Sequence, residues 1–267
     1  MKILVYGVGG IGGYIGALLK KTKLDITFIC RGKRFDYLKS HGLSLQSLLG
    51  DLKFKNLDIR KELKFGEKFD IIINSVKLYD FDNVLEDLIK NVSGDFIILP
   101  FQNGVYAEEK IKKDFGSFRT TGAVAQISSY IDDNNTVKHI GKLATFFVGP
   151  YTQINSSKLQ EFCKSCQEVG LDMRFKENIK EKIWDKFIFL SAYSGITTLT
   201  RKSIGEIFDD KKLREKFISA MNETFNLSKY FGVKFKNNPV DLWLEKISNM
   251  PYEMTSSMYL DYKKKKN

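Results

Sequence analysis

Histidine, cysteine and proline are all scarce in this chain of 267 residues, with two, three and four copies. Three cysteines are too few for a disulfide framework. Two of them, Cys163 and Cys166, form a C-x-x-C, the spacing of a redox pair or of half a zinc site. No second pair completes a zinc site, and no strand leads into the motif. In KLQEFCKSCQEVG the two thiols share a helical face with Leu159, Phe162 and Val169, which reads as core packing. His41 and His139 have no acidic or cysteine neighbour in sequence, which argues against a histidine-based catalytic or metal site, and no metal is expected. Long apolar runs are also missing. None reaches the roughly 18 residues that a membrane span needs. The opening MKILVYGVGG has no signal-peptide pattern, so the expected location is the cytoplasm, without a membrane partner.

What is abundant is positive charge. Forty-three Lys and Arg against 32 Asp and Glu leave a formal net charge of +11. Such a balance suits nucleic acid, a membrane surface or anionic ligands. Yet the basic residues are spread along the chain and alternate with acids, and no basic stripe carries interleaved aromatics. The expectation is a solvated surface and no nucleic-acid partner. The one basic run, Lys263 to Lys266, lies at the extreme C-terminus.

KILVYGVGGIGGYIGALL opens the chain with a strand-like apolar run over residues 2 to 6. Gly7, Gly9 and Gly12 then form G-x-G-x-x-G, Gly16 follows, and Ile15, Leu18 and Leu19 supply a helix face. The glycines alone are weak evidence; a strand before and a helix after them make a dinucleotide-binding turn the preferred reading over a ligand-free one. Gly7 permits the tight turn, Gly9 lets the backbone approach a pyrophosphate, and Gly12 and Gly16 let the helix press on the sheet. The pyrophosphate faces the helix N-terminus. The candidate cofactor contacts here are Gly7, Gly9, Gly10, Ile11 and Gly12.

The second strand, DITFIC, runs into CRGKR. An NAD-specific protein would usually show an acid there for the ribose 2′-hydroxyl. Arg31, with Lys33 or Arg34 near it, suits a 2′-phosphate, so the expected cofactor is NADP(H) rather than NAD. FDIIINSVK and DFIILPFQNGV are further apolar strands, separated by helical periodicity through Phe81, Val84, Leu85, Leu88 and Ile89. This alternation predicts a parallel sheet whose ligands lie beyond the carboxyl ends of its strands. Lys77 and Asn103 both fall there, although Asn-Gly is also a common turn pair. From about Arg119 to Pro150, TTGAVAQISSYI, TVKHIGK and LATFFVGP read as β segments that extend the sheet, partly antiparallel.

Beyond residue 177 the pattern turns helical, with Asn178 and Ser203 as candidate N-caps and Pro239 in a first turn. The predicted class is α/β, with a Rossmann-type dinucleotide-binding domain over 1–177 and an all-helical domain over 178–267. Within IWDKFIFLSAYSGITTL, Lys186 lies just inside a long apolar run. It either snorkels to water or is held in a pocket for chemistry.

Over essentially its whole length the sequence resembles the ketopantoate reductases (2-dehydropantoate 2-reductases). The likeness rests on GVGGIGG, CRGKR, SVK ending at Lys77, QNGV containing Asn103, IWDKF containing Lys186, and TSSMYLDY. Such enzymes reduce the 2-keto acid ketopantoate to pantoate with NADPH, on the route to pantothenate and coenzyme A, and occur as monomers or homodimers. The resemblance implies that Lys186 is the general acid, a task that suits a lysine with a lowered pKa. It implies that Asn103 orients substrate and nicotinamide, that Lys77 lines the cofactor and substrate cleft, and that Ser257 binds the substrate carboxylate or hydroxyl. Two positions depart from the family. Asparagines are usual four and eight residues after the lysine, where this chain has Leu190 and Ser194; Ser194 keeps a shorter polar reach toward substrate. The family's glutamate about a dozen residues beyond Ser257 has no counterpart before Asn267, so DYKKKKN is expected to be the interior of an unfinished helix. A reductase of another small keto acid, or a weakly active or inactive NADP-binding protein, are the alternatives.

Overall fold

A computed structural model describes residues 1–116, 119–152 and 156–264. The chain divides into two compact units, Met1–Ile179 and Lys180–Asn267. Among the described residues, no helix is long and apolar enough to cross a membrane.

The first unit begins with β1 (Lys2–Tyr6), α1 (Gly10–Leu19), β2 (Asp25–Ile29) and α2 (Gly32–His41). It continues through β3 (Leu43–Gln46), β4 (Leu52–Phe54), β5 (Asp58–Arg60), β6 (Ile71–Asn74), α3 (Phe81–Asn91), β7 (Ile97–Pro100) and α4 (Tyr106–Phe115). Strands β5-β2-β1-β6-β7 form one sheet in that order, and every pairing in it is parallel. All their carboxyl ends therefore lie on one edge. Strands β1, β6 and β7 are near-continuous apolar runs, as suits strands covered on both faces, whereas the edge strand β5 is not. Alternation divides β1 between them: Ile3 and Val5 join the core that includes α1, while Leu4 and Tyr6 join the core that includes α3 and α4. On α3, Phe81, Val84, Leu85 and Leu88 are buried, as their spacing predicts. Ile89 is not; it is 55% exposed, since it falls at the margin of the apolar stripe.

The expected extension of this sheet is corrected. β8 (Thr121–Ile131), β9 (Val137–Pro150) and β10 (Asp172–Phe175) belong to a second five-stranded sheet with β3 and β4. The two described TVKHIGK and LATFFVGP segments are a single strand, β9, which pairs antiparallel with β8 across a register shift at Ile127/Ser128. β9 also pairs parallel with β3 and with β10, so its own partners draw the segment into a separate sheet. An isolated bridge from Ile98 to Thr120 and a hydrogen bond from the Thr121 hydroxyl to the Ile98 carbonyl join β7 to the start of β8 without merging the two sheets. On α5 (Ser157–Glu168), Cys163 and Cys166 are buried core residues, as read from their spacing, and burial pushes the Cys163 thiol up to about 12. His139 is buried, with Nδ1 2.8 Å from the Ser47 hydroxyl and Nε2 3.1 Å from the Leu143 carbonyl.

The second unit is helical: α6 (Ile179–Thr200), α7 (Ile204–Asp209), α8 (Lys211–Tyr230), α9 (Pro239–Ile247) and α10 (Ser257–Lys263). Its core joins Ile188, Phe189, Ala192 and Tyr193 of α6 to Ile207, Phe217, Met221, Val240, Trp243 and Ile247. Ser203 caps α7 through a reciprocal box with Glu206, and Pro239 opens α9 behind the Asn238 cap. Helix α10 ends at Lys263 with Lys264 as its cap. Lys265, Lys266 and Asn267, on which the unfinished-helix expectation rests, lie outside the described residues.

Candidate active site

At the carboxyl edge of the first sheet, the turn after β1 is made of backbone. Gly7 has φ of +91°, which a side chain would strain. Gly12 touches the Gly7 carbonyl and the Ser75 hydroxyl so closely that an added Cβ would collide with both. Gly10 is turned toward the β8 backbone at Ser129, and Gly16 sits against the Phe28 ring. Gly9 differs: a Cβ there would meet nothing within 4 Å. It is also the N-cap of α1, whose first-turn N–H groups have no intrahelical acceptor and whose first turn carries no acid. Open space over bare backbone at a helix N-terminus fits the pyrophosphate of a dinucleotide. The half-buried Ile11 is the second residue of that helix.

Side chains lace the neighbouring strand ends to this turn. Ser75 Oγ donates to the Gly7 carbonyl at 2.6 Å. The Gln102 amide donates to Asn74 Oδ1 at 3.2 Å and to the Val76 carbonyl at 2.9 Å. Exposed Lys77 and Asn103 stand immediately beyond Val76 and Gln102, so both are carried on backbone that these bonds hold together. Gly104 has φ of +93°, so the chain bends at Asn103-Gly104 in a conformation that favours glycine. Ser75 and Gln102 escape a reading by residue type alone; their only signal is that they precede the motif residues in NSVK and QNG.

Arg31 lies at the end of β2 as expected. Its Nη2 donates to the Tyr6 hydroxyl at 2.9 Å and lies 3.7 Å from Asp87 Oδ2. Arg34 turns to the glycine loop, where Nε donates to the Val8 carbonyl at 3.0 Å and Nη1 donates to the Asn135 carbonyl. It staples the glycine turn to the β8–β9 turn. Near Asn103, Glu108 on the first turn of α4 is 1% exposed. Burial pushes its carboxyl up to about 8, against the weaker opposing pull of backbone N–H groups at Glu108 and Ala123.

In the second unit, Lys186, Leu190 and Ser194 recur at intervals of four on one face of α6, and all three are half-buried. Their neighbours explain why the lysine stays there. Trp184 is buried and packs edge-on to Phe187. Asp185 accepts from the Trp243 indole through its carbonyl at 2.8 Å and its Oδ1 at 3.0 Å, which pins α9 to α6. Loss of hydration pulls the Lys186 ammonium down to about 8. Ser257 is exposed at the start of α10. The preceding Ser256 is buried, accepts from the Tyr259 N–H and shares a 2.7 Å hydrogen bond with Thr197 of α6. Ser256 thus fixes the helix that presents Ser257, and sequence reading missed it because it passes for a second serine of the same motif.

Comparison with known proteins follows the same division. Residues 3–153 match the family model described as ketopantoate reductase PanE/ApbA, and residues 178–267 match its C-terminal model. An uncharacterized oxidoreductase, YkpB, of Bacillus subtilis is 30% identical, covering 98% of this chain and 86% of that protein. A 2-dehydropantoate 2-reductase of Pyrococcus horikoshii is 28% identical, covering 92% of this chain and 79% of that one. A solved structure of D-mandelate dehydrogenase with NADH and anilino(oxo)acetate has the same fold, with a TM-score of 0.86 at 19% identity, covering 99% of this chain and 86% of its own.

Proposed function

Because the chain belongs to the ketopantoate reductase PanE/ApbA family, we propose that it is an NADPH-dependent reductase of a small 2-keto acid, with ketopantoate as the preferred substrate and pantoate as product, on the route to pantothenate and coenzyme A. The observation that carries this reading is Lys186: an ammonium held half-buried on an apolar helix and brought down to about 8 by lost hydration. A proton donor is most effective when its pKa lies near the working pH.

The glycine turn, Ile11 and Arg31 are assigned to the cofactor's phosphates, and Lys77 and Asn103 to its nicotinamide end and the substrate. When bound, the nicotinamide supplies hydride to the keto carbon. Lys186 stabilises the developing alkoxide by its charge and gives it a proton from Nζ. Asn103 orients the keto acid, and Ser194 and Ser257 hold its carboxylate or hydroxyl. Lys186 is a donor only while protonated, so kcat/KM is full below about 8 and falls as pH rises through that value.

Leu190 favours a second reading. It puts an apolar side chain one turn from Lys186 on the same face, where it cannot hydrogen-bond a hydroxyl. A keto acid with a more apolar tail suits that position, and the D-mandelate dehydrogenase of the same fold was solved with an aryl-bearing oxoacetate.

NADPH oxidation is measured with ketopantoate and with a panel of aliphatic and aryl 2-keto acids, beside direct NADPH binding. Ketopantoate should be turned over fastest. Lys186→Ala should lower kcat by about 10²–10⁴-fold with NADPH binding retained. Binding without turnover on any acid points to the inactive NADP-binding alternative. Undiminished turnover in Lys186→Ala removes the lysine from the mechanism.

A further inference from the structure

Arg31 is not left to find its ligand alone. Tyr6 is the last residue of β1, and alternation aims its ring at the face of the sheet that α3 covers. There its hydroxyl donates to Asp87 Oδ2 at 2.6 Å and accepts from Arg31 Nη2 at 2.9 Å. One proton and two lone pairs suffice for both bonds. Asp87 is only 17% exposed and is itself held, since Asn91 Nδ2 donates to its Oδ1 at 2.7 Å. Burial and Asp87 raise the Tyr6 pKa, so the hydroxyl keeps its proton.

The arrangement grips the guanidinium by one nitrogen. The Arg31 side chain is 60% exposed, and among the described residues Nε and Nη1 have no partner. A guanidinium carries five N–H donors in a rigid fork, so holding one corner sets the direction of the rest. Asp87 lies 3.7 Å from Nη2, beyond a direct hydrogen bond, and fixes the fork through the Tyr6 hydroxyl. The remaining donors suit a phosphate monoester.

We propose that Tyr6 and Asp87 are positioning residues for cofactor choice, orienting Arg31 so that its open edge takes the 2′-phosphate of NADPH. This rests on the NADPH reading above and adds to it two residues that touch no part of the cofactor. Loss of either lets the long arginine side chain wander. It then weakens NADPH binding and leaves NADH, which has no 2′-phosphate, nearly unaffected.

The test is the dissociation constants of NADPH and NADH, by nicotinamide fluorescence, for the full chain and for Arg31→Ala, Tyr6→Phe and Asp87→Asn. Both partner substitutions keep the shape of the side chain, and a thermal melt checks folding. Tyr6→Phe and Asp87→Asn should each weaken NADPH binding about five- to tenfold, with NADH changed less than about twofold on the same scale. Arg31→Ala should remove most of the preference for NADPH. If Arg31→Ala leaves the NADPH/NADH ratio unchanged, the NADPH reading fails and the proposal goes with it. If Arg31→Ala collapses the ratio while both partner variants leave it intact, only the positioning proposal is overturned. Equal weakening of both cofactors by a partner variant reduces that residue to a structural part and also overturns it. Tighter NADPH binding by Asp87→Asn would make Asp87 a competitor for Arg31, the opposite of what is proposed.

Discussion

The strand-end turn of the first unit and helix α6 of the second both expose chemistry from an apolar core, but with different materials. Around Gly7, Gly9 and Gly12 the working surface is bare backbone, and at Gly7 and Gly12 its form depends on atoms that cannot be added. On α6 the working surface is three side chains, Lys186, Leu190 and Ser194, on a helix whose opposite residues Ile188, Phe189 and Ala192 fill a core. The first arrangement leaves no room for a side chain at Gly12 and strains one at Gly7, while Gly9 stands open. The second is made of side chains, of which Leu190 also packs against the core of its unit.

Gly12→Val should break the comparison most severely. Its added carbons run into the Gly7 carbonyl and the Ser75 hydroxyl, both part of the same turn. Overpacking of this kind costs about 1–3 kcal/mol, and more against rigid backbone. Loss of cofactor binding together with a lowered melting temperature is expected; an unchanged melt with tight NADPH binding would refute the close contact. Leu190→Asn on the other side should keep the fold but lower the melting temperature, since the half-buried Leu190 also packs against the core of the second unit. It should shift the ratio of kcat/KM for ketopantoate over an aryl keto acid upward by about tenfold, the worth of one hydrogen bond to a substrate hydroxyl.

The buried titratable groups of the two units give opposite pH signatures. Folded Glu108 keeps its proton up to about 8, whereas its ordinary value is 4.5. Between those values the native state binds more protons than the unfolded chain, so this contribution is fully present below 4.5 and is lost as pH rises through about 8. Folded Lys186 releases its proton near 8 instead of 10.5, so the unfolded chain binds more protons in that window and stability rises with pH across it. Urea midpoints measured for the protein, Glu108→Gln and Lys186→Met from pH 5 to 10 should show each variant losing its own slope. An unaltered slope in Glu108→Gln would mean that Glu108 ionises normally when folded. The smallest effect expected is that of Ser203→Ala, which removes the α7 capping box and costs about 1 kcal/mol, read as a lower melting temperature with cofactor binding unchanged.

Legibility follows the range of the interactions. The glycine turn was readable because its partners, β1 and α1, adjoin it in sequence, and the capping box at Ser203 is equally local. Lys186 is legible as a charge inside an apolar run. By contrast, Arg31 could be named but not its holders: Asp87 meets Tyr6 across 81 positions. The second sheet escaped because the register of β9 depends on β3, β8 and β10 at once, and alternation within a strand does not say which strands it pairs with. Gln102 and Ser256 carry no motif signal of their own, since their work is to hold backbone that other residues use.

By itself, then, the sequence determined the class of the fold, the glycine turn between β1 and α1, the order of a sheet-forming region before a helical one, and the place of Lys186 inside an apolar run. These rest on periodicity, glycine spacing and capping, which act over one or two turns of chain. Tertiary structure alone decided that β8 and β9 belong to a second sheet, that Arg31 is gripped at one corner by Tyr6 and Asp87, and that Glu108 and Lys186 titrate away from their ordinary values. Each of those depends on which distant atoms exclude water from a group or reach it with a hydrogen bond, and pairings of that kind are fixed only when the whole core closes.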